Sequence, residues 1–264
     1  MGSYLLFHYT VILWAVNEDW IRKTVTFLLI VQVAIVLLDV VFNFLAIVDD
    51  EDFREIFNMA RELSISNWFS SMLEAGTGLV FWLIHLQAKD GTAGRRAARG
   101  WAIAAVLFFY IGLDDGTQMH ERVSTAAASY FAVTSESGGT HPGALGWIGA
   151  LLDRFPSYPW QILFGPVLAG TGLYTLWFLW RKMERKEART ACLGFFLYGI
   201  AQGQDFIEGL ETPYGWLTAR LGTGEYTVPH FAKVGEESVE MIGTILVLWA
   251  ALHHYSAHAR RQRG

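Results

Sequence analysis

The chain has 264 residues, 53% of them hydrophobic and 17% charged, where a soluble domain averages about 25% charged residues. Its one cysteine, Cys192, excludes an intrachain disulfide, a thiolate metal cluster and CxxC redox chemistry. The net charge of −5 is segregated along the chain, so its sum says little about partners, and nucleic acid is not an expected one.

Run lengths carry more information than composition. A helix that spans a bilayer needs about 20 mostly apolar residues. Such stretches occur at 24–48, 67–87, 100–123, 160–180, 190–210 and 229–253. Their short connections leave no room for a second, soluble domain. The expected fold is all-α: a single integral membrane domain over 1–264, a polytopic bundle of six transmembrane helices with short interfacial helices.

The N-terminus has neither a basic n-region nor an A-x-A-type cleavage site, so no signal peptide is expected. Leu6 stands where a myristoylation motif wants Ser or Thr. Residues 4–16 are apolar but short, and read as an interfacial or partly inserted helix. Arg22 and Lys23 precede the first span, and Asp49-Asp50-Glu51-Asp52 follows it. Residues 51–63 place Phe53, Ile56, Phe57, Ala60 and Leu63 at helical spacing, predicting an amphipathic helix on the membrane surface.

Lys89, Arg95, Arg96 and Arg99 lie between spans two and three, and Arg181, Lys182, Arg185, Lys186 and Arg189 between four and five. Arg260, Arg261 and Arg263 end the chain. Basic loops favour the cytoplasm, so both termini are expected there, and the reading places the protein in a bacterial cytoplasmic (inner) membrane. The long outer connection 124–159 is broken by Gly138-Gly139 and Pro142-Gly143, with a short helix expected within 144–155. Trp20, Trp68, Trp82, Trp101, Trp160, Trp180, Trp216 and Trp249 sit near span ends and read as interface anchors.

Acids interrupt the spans where a lipid-facing helix cannot carry them. Asp39, Glu74, Asp114, Asp115, Asp205, Glu208, Glu236, Glu237 and Glu240 all fall in the outer half under this orientation. Asp114, Gln118 and Glu121 share one expected helix face, as do Gln204, Glu208 and Glu211. Gly76 and Gly78, then Gly199, Gly203 and Gly209, accompany the acids and would let backbones approach. An ionised carboxylate at mid-membrane costs about 3 kcal/mol even on the gentler scale. Lys233, with Arg122 and any protonated His120 or His230, cannot neutralise the set. Bound protons, a bound cation or water must make up the difference.

The leading expectation is a divalent metal (iron, manganese or zinc) held by Glu74, Asp114, His120, Glu121, Asp205, Glu208, Glu236 and Glu240, with His230 a further candidate. Oxygen activation and hydrolysis of a lipid-soluble substrate are both open to such a site. Di-iron bundles use Glu-x-x-His twice, and this chain has it nowhere. Asp114 … His120-Glu121, Asp205-x-x-Glu208 and Glu236-x-x-x-Glu240 match that pattern only loosely. The second reading is a proton- or cation-coupled transporter using intramembrane acids. The apolar look of the cytoplasmic halves counts against it. The third is a non-catalytic subunit of a larger membrane complex, whose other subunits supply the missing cations. His85 with His253 or His254 could in principle ligate a haem near the cytoplasmic face, although such histidines are more often interface residues. The sequence does not select a substrate or name catalytic residues.

Overall fold

The computed structural model describes residues 17–90, 94–136, 146–152 and 154–261. The apolar 4–16 segment and the glycine and proline breaks at 138–143 lie outside the described residues. Among the described residues the chain is all-helical, without strands. The helices are α1 (Glu18–Asp39), α2 (Glu51–Phe57), α3 (Ile65–Asp90), α4 (Gly94–Thr117), α5 (Met119–Glu136), α6 (Gly146–Leu152), α7 (Trp160–Leu163), α8 (Gly165–Lys182), α9 (Arg185–Glu208), α10 (Gly215–Leu221) and α11 (Thr227–Arg261).

Local capping signals start several of these helices, α1 and α9 five or six residues before the expected spans. The Asn17 side chain accepts the Trp20 amide at 2.8 Å, and Glu18 and Asp19 sit in the first turn of α1, against the positive end of its dipole. Asp50 does the same for α2 by accepting the Phe53 amide at 2.8 Å. Glu184 and Glu187 form a reciprocal capping box at the start of α9. The α1 helix passes into a π-helical turn, Val40–Phe44. Such turns are rare and often lie beside functional residues; here the turn follows the fully buried Asp39.

Each expected span contains a long helix, but three are long and apolar enough to cross a membrane: Glu18–Phe44, Ile65–Lys89 and Gly94–Thr117. The remaining three fall short for visible reasons. The α8 helix has 18 residues and ends with Arg181 and Lys182, while α9 and α11 carry acids in their interiors.

The α11 helix is the hub. It packs against α1, α3 and α9; α3 packs on α4, α4 on α8, and α8 on α9, closing a five-helix ring with α1 outside it. Side-chain contacts fix the directions. Arg260 reaches Glu18 at 3.5 Å, so α1 and α11 run antiparallel. His85 meets the Ala98 carbonyl at 2.8 Å at one end of the α3–α4 hairpin, and Asn67 meets Asp115 at the other. The basic loops therefore gather at one end of the bundle, the basic end, and most of the buried acids lie toward the opposite, acidic end.

Close helix approach is set by glycines, though mostly not those accompanying the acids in sequence. A Cβ on Gly112 would sit 2.8 Å from the Ser71 carbonyl, and one on Gly194 would sit 2.6 Å from that of Gly243. Of the glycines beside the acids, Gly78 and Gly209 do approach backbone, their Cβ positions 3.0 Å from the Phe109 amide nitrogen and 2.9 Å from that of Tyr158, while Gly76, Gly199 and Gly203 meet nothing within 4 Å. Toward the basic end the ring is filled by Phe81, Trp101, Phe108, Phe178, Leu179 and Val247. This apolar plug separates the acids from the basic loops.

Four boundaries differ from expectation. The third span does not continue to 123: Gln118 adopts φ +53°, and α5 sets off as a new helix. A non-glycine residue in that left-handed region costs about 1–2 kcal/mol, which hydrogen bonding by Asp114 offsets. The fourth span breaks at Phe164, between α7 and α8, with a proline in the first turn of α8. The fifth ends at Glu208, so Glu211 lies beyond the helix and outside the expected face. The surface helix stops at Phe57, where Asn58 turns to extended backbone (ψ 105°), and Leu63, 84% exposed at φ +64°, does not join the apolar stripe. Phe53 and Phe57 do pack on Phe42, at 5.2 and 4.8 Å between ring centroids. The helix expected within 144–155 is present as α6.

A candidate cation site of buried carboxylates

The polar side chains of the acidic half fall into four groups. The first ties α1 to α11. Asp39 accepts from His230 Nε2 at 2.8 Å, from the Met59 amide at 3.0 Å and from Asn43 at 3.3 Å. The carboxylate can only accept, so His230 Nε2 carries the proton. Its Nδ1 then accepts from the Tyr226 hydroxyl at 2.9 Å, and Asn58 donates to that hydroxyl at 3.3 Å. Every donor and acceptor in this chain of bonds agrees. Both nitrogens of His230 are occupied, so it has none left for a metal.

The second group sits at the α4–α5 break. Asp114 accepts the His120 amide at 2.8 Å and His120 Nδ1 at 2.6 Å. The His120 ring meets Trp160 edge-on at 4.7 Å. Asp205 on α9 accepts from Gln161 at 3.0 Å. Glu121 is exposed. Asp205 and Glu121 are both close enough for their charges to act on His120.

The third group surrounds Lys233. Glu236 claims it at 2.6 Å, with Glu237 at 3.5 Å and Glu208 at 3.9 Å. Tyr214 donates to Glu208 at 3.2 Å. Burial and the Glu208 charge push the Tyr214 hydroxyl up to about 12. Gln204 donates to the Ala232 carbonyl and so braces α9 on α11. Glu236 Oε2 is buried without a hydrogen-bond partner among the described residues.

The fourth group is a file of acids between α3, α4 and α11. It begins at the exposed Glu62, which partial desolvation and then the Glu121 charge hold above the usual carboxylate range. Asp115 follows, accepting from Asn67 at 3.2 Å and Ser71 at 3.5 Å. Glu237 and Glu240 come next, each close enough to repel Asp115. The file ends at Glu74, which is fully buried. Tyr198 donates to Glu74 Oε1 at 2.9 Å, and Thr244 closes on the Tyr198 oxygen. Glu74 Oε2 has no hydrogen-bond partner among the described residues. Below it lies the apolar plug.

The eight expected metal ligands are therefore divided. Asp114, His120, Glu121 and Asp205 surround the α4–α5 break, Glu208 and Glu236 belong to Lys233, and Glu74 and Glu240 end the file. Among the described residues no three His, Cys, Asp or Glu side chains are grouped to hold a metal ion.

Several participants carried no sequence signal. A tyrosine such as Tyr198 is ordinary in a span. Glu62 looked like part of a surface helix. The basic half also holds more polar groups than its sequence suggested: Gln87, Thr175, Glu187 and Ser256 are buried there. Glu187 accepts from His254 at 3.3 Å.

These features define an all-helical protein with helices able to cross a membrane and a carboxylate-rich interior. The chain belongs to the family described as a domain of unknown function, DUF8692, whose model matches residues 25–256. Neither the curated proteins nor the solved structures hold a match to it.

Proposed function

We propose that this chain is a six-span membrane protein that takes up protons or a small cation from one face, as part of cation-coupled transport, and that Glu74 and Glu240 hold the cation. The observation that carries this reading is the unbalanced file. Glu62, Asp115, Glu237, Glu240 and Glu74 are linked in sequence by mutual charge repulsion. Lys233, the cation set among them, is already claimed by Glu236. Intramembrane acids of this kind mark proton and cation pathways. A groove of about 480 Å³ between α3 and α4 is lined by Asn67 and Ser71, the two residues that donate to Asp115. Buried polar groups on both sides of the plug suit a path that opens by helix movement.

Six spans are supported by the outward faces of the helices that fall short on composition. Val167, Leu173 and Trp177 on α8, and Leu193 and Phe196 on α9, are half or more exposed. These are lipid-like surfaces, while the acids of α9 and α11 turn toward neighbouring helices. The positive-inside rule then places the basic end and the termini in the cytoplasm, and we place the protein in a bacterial cytoplasmic membrane.

Proton flux into proteoliposomes tests the reading, with E74Q and E240Q expected to abolish it. One observation keeps a second reading open. Metal-ligating histidines usually donate their other ring nitrogen to a carboxylate, and Asp114 holds His120 Nδ1 in that way. Stoichiometric iron, manganese or zinc in purified protein, lost in H120A, would favour it over transport. A stable co-purifying partner and no flux would favour the subunit reading.

A further inference from the structure

A groove of about 610 Å³ runs between α4 and the α7–α8 break, walled by Val106, Leu107, Phe164, Val167 and Leu168. That volume is typical of small-molecule sites. Its wall includes one polar anomaly, Tyr110. The Tyr110 hydroxyl oxygen is buried without a hydrogen-bond partner among the described residues. A buried hydroxyl left unpaired is unfavourable, so a ligand that accepts its proton gains by pairing it. The adjacent Asp114 makes no hydrogen bond to it and accepts from His120 instead.

The groove also has a chemical gradient. Val106 and Val167 are 61% and 67% exposed, so it opens on the side that faces lipid in the six-span reading, on which this inference rests. Its other end runs into the second polar group. Tyr110 is one turn before Asp114, and Leu163 follows Gln161, which holds Asp205. Asp114, Asp205 and Glu121 disfavour an anionic head there. We infer that this groove binds a neutral, carbonyl-headed amphiphile from the bilayer, its apolar chain along α4 and α8 and its carbonyl oxygen accepting from Tyr110.

The test uses a long-chain methyl ketone tagged with a diazirine, photolysed with the full-length protein in nanodiscs, and the equivalent fatty acid as control. Label is expected on peptides covering 102–110 and 163–171, reduced about 5-fold or more by V106W with V167W. Loss of one hydrogen bond in Y110F should weaken labelling about 3- to 10-fold with the melting temperature unchanged. The fatty acid should label more weakly than the ketone. E240Q should label like the parent, so loss of transport and loss of groove binding read out separately. Label spread evenly over the outward faces of α1 and α9, indifference to V106W and V167W, equal labelling by the fatty acid, or cross-linking of the groove to a second copy would each overturn the inference.

Discussion

Two buried carboxylates, Asp39 and Glu74, are both fully shielded from solvent, yet their surroundings differ. Asp39 has three donors, one of them a histidine whose other nitrogen is also paired. Glu74 has one tyrosine on one oxygen, nothing on the other, and acids for neighbours. Burial alone therefore does not mark function. A buried charge with all its bonds made holds helices together; one without them awaits something to neutralise it.

The largest expected effect breaks the satisfied member. D39A leaves His230, Asn43 and the Met59 amide without their acceptor. Removing one partner of a buried pair costs about 3–5 kcal/mol, so the melting temperature should fall by roughly 10 °C. The same measurement on E74Q or E240Q should show no loss, or a gain of about 1–3 kcal/mol, because neutralising an unpaired buried carboxylate removes a cost. If E74Q destabilises as D39A does, the contrast between the two sites is gone.

Smaller effects sharpen the comparison. H254A removes one bond to Glu187, but the capping box remains, so about 1 kcal/mol or less should be lost by thermal melting. The smallest effect is at the mouth. Glu62 is raised, so the folded chain holds its proton more tightly than the unfolded chain. That contribution is complete below the unfolded pKa, about 4.3, and is lost as pH rises through the folded value. E62Q should therefore raise the melting temperature at pH 8 by at most about 2 °C, and the difference should vanish at pH 4.

The helices and their directions were legible because both rest on local signals: apolar run length and the placement of Lys and Arg. That the acids gather in one half followed from the same two signals. Pairing was not legible. His230 and Asp39 are 191 residues apart, and nothing in either neighbourhood announces the other. The helix break at Gln118 was invisible because neither glycine nor proline marks it, and the shared face expected of Asp114, Gln118 and Glu121 dissolved with it. Glu62 is the surface residue its sequence suggests; its link to the file was hidden because its neighbours there belong to other helices. Which acids are satisfied and which are not is a tertiary property, and that distinction carries the functional reading.

Proton uptake into proteoliposomes, measured with an internal pH dye under an imposed inward gradient, separates the two kinds of buried acid. The parent should acidify the lumen, D39N should do so in proportion to the protein that remains folded, and E74Q and E240Q should be silent although folded. Flux that persists at the parental rate in folded E74Q and E240Q would contradict the account.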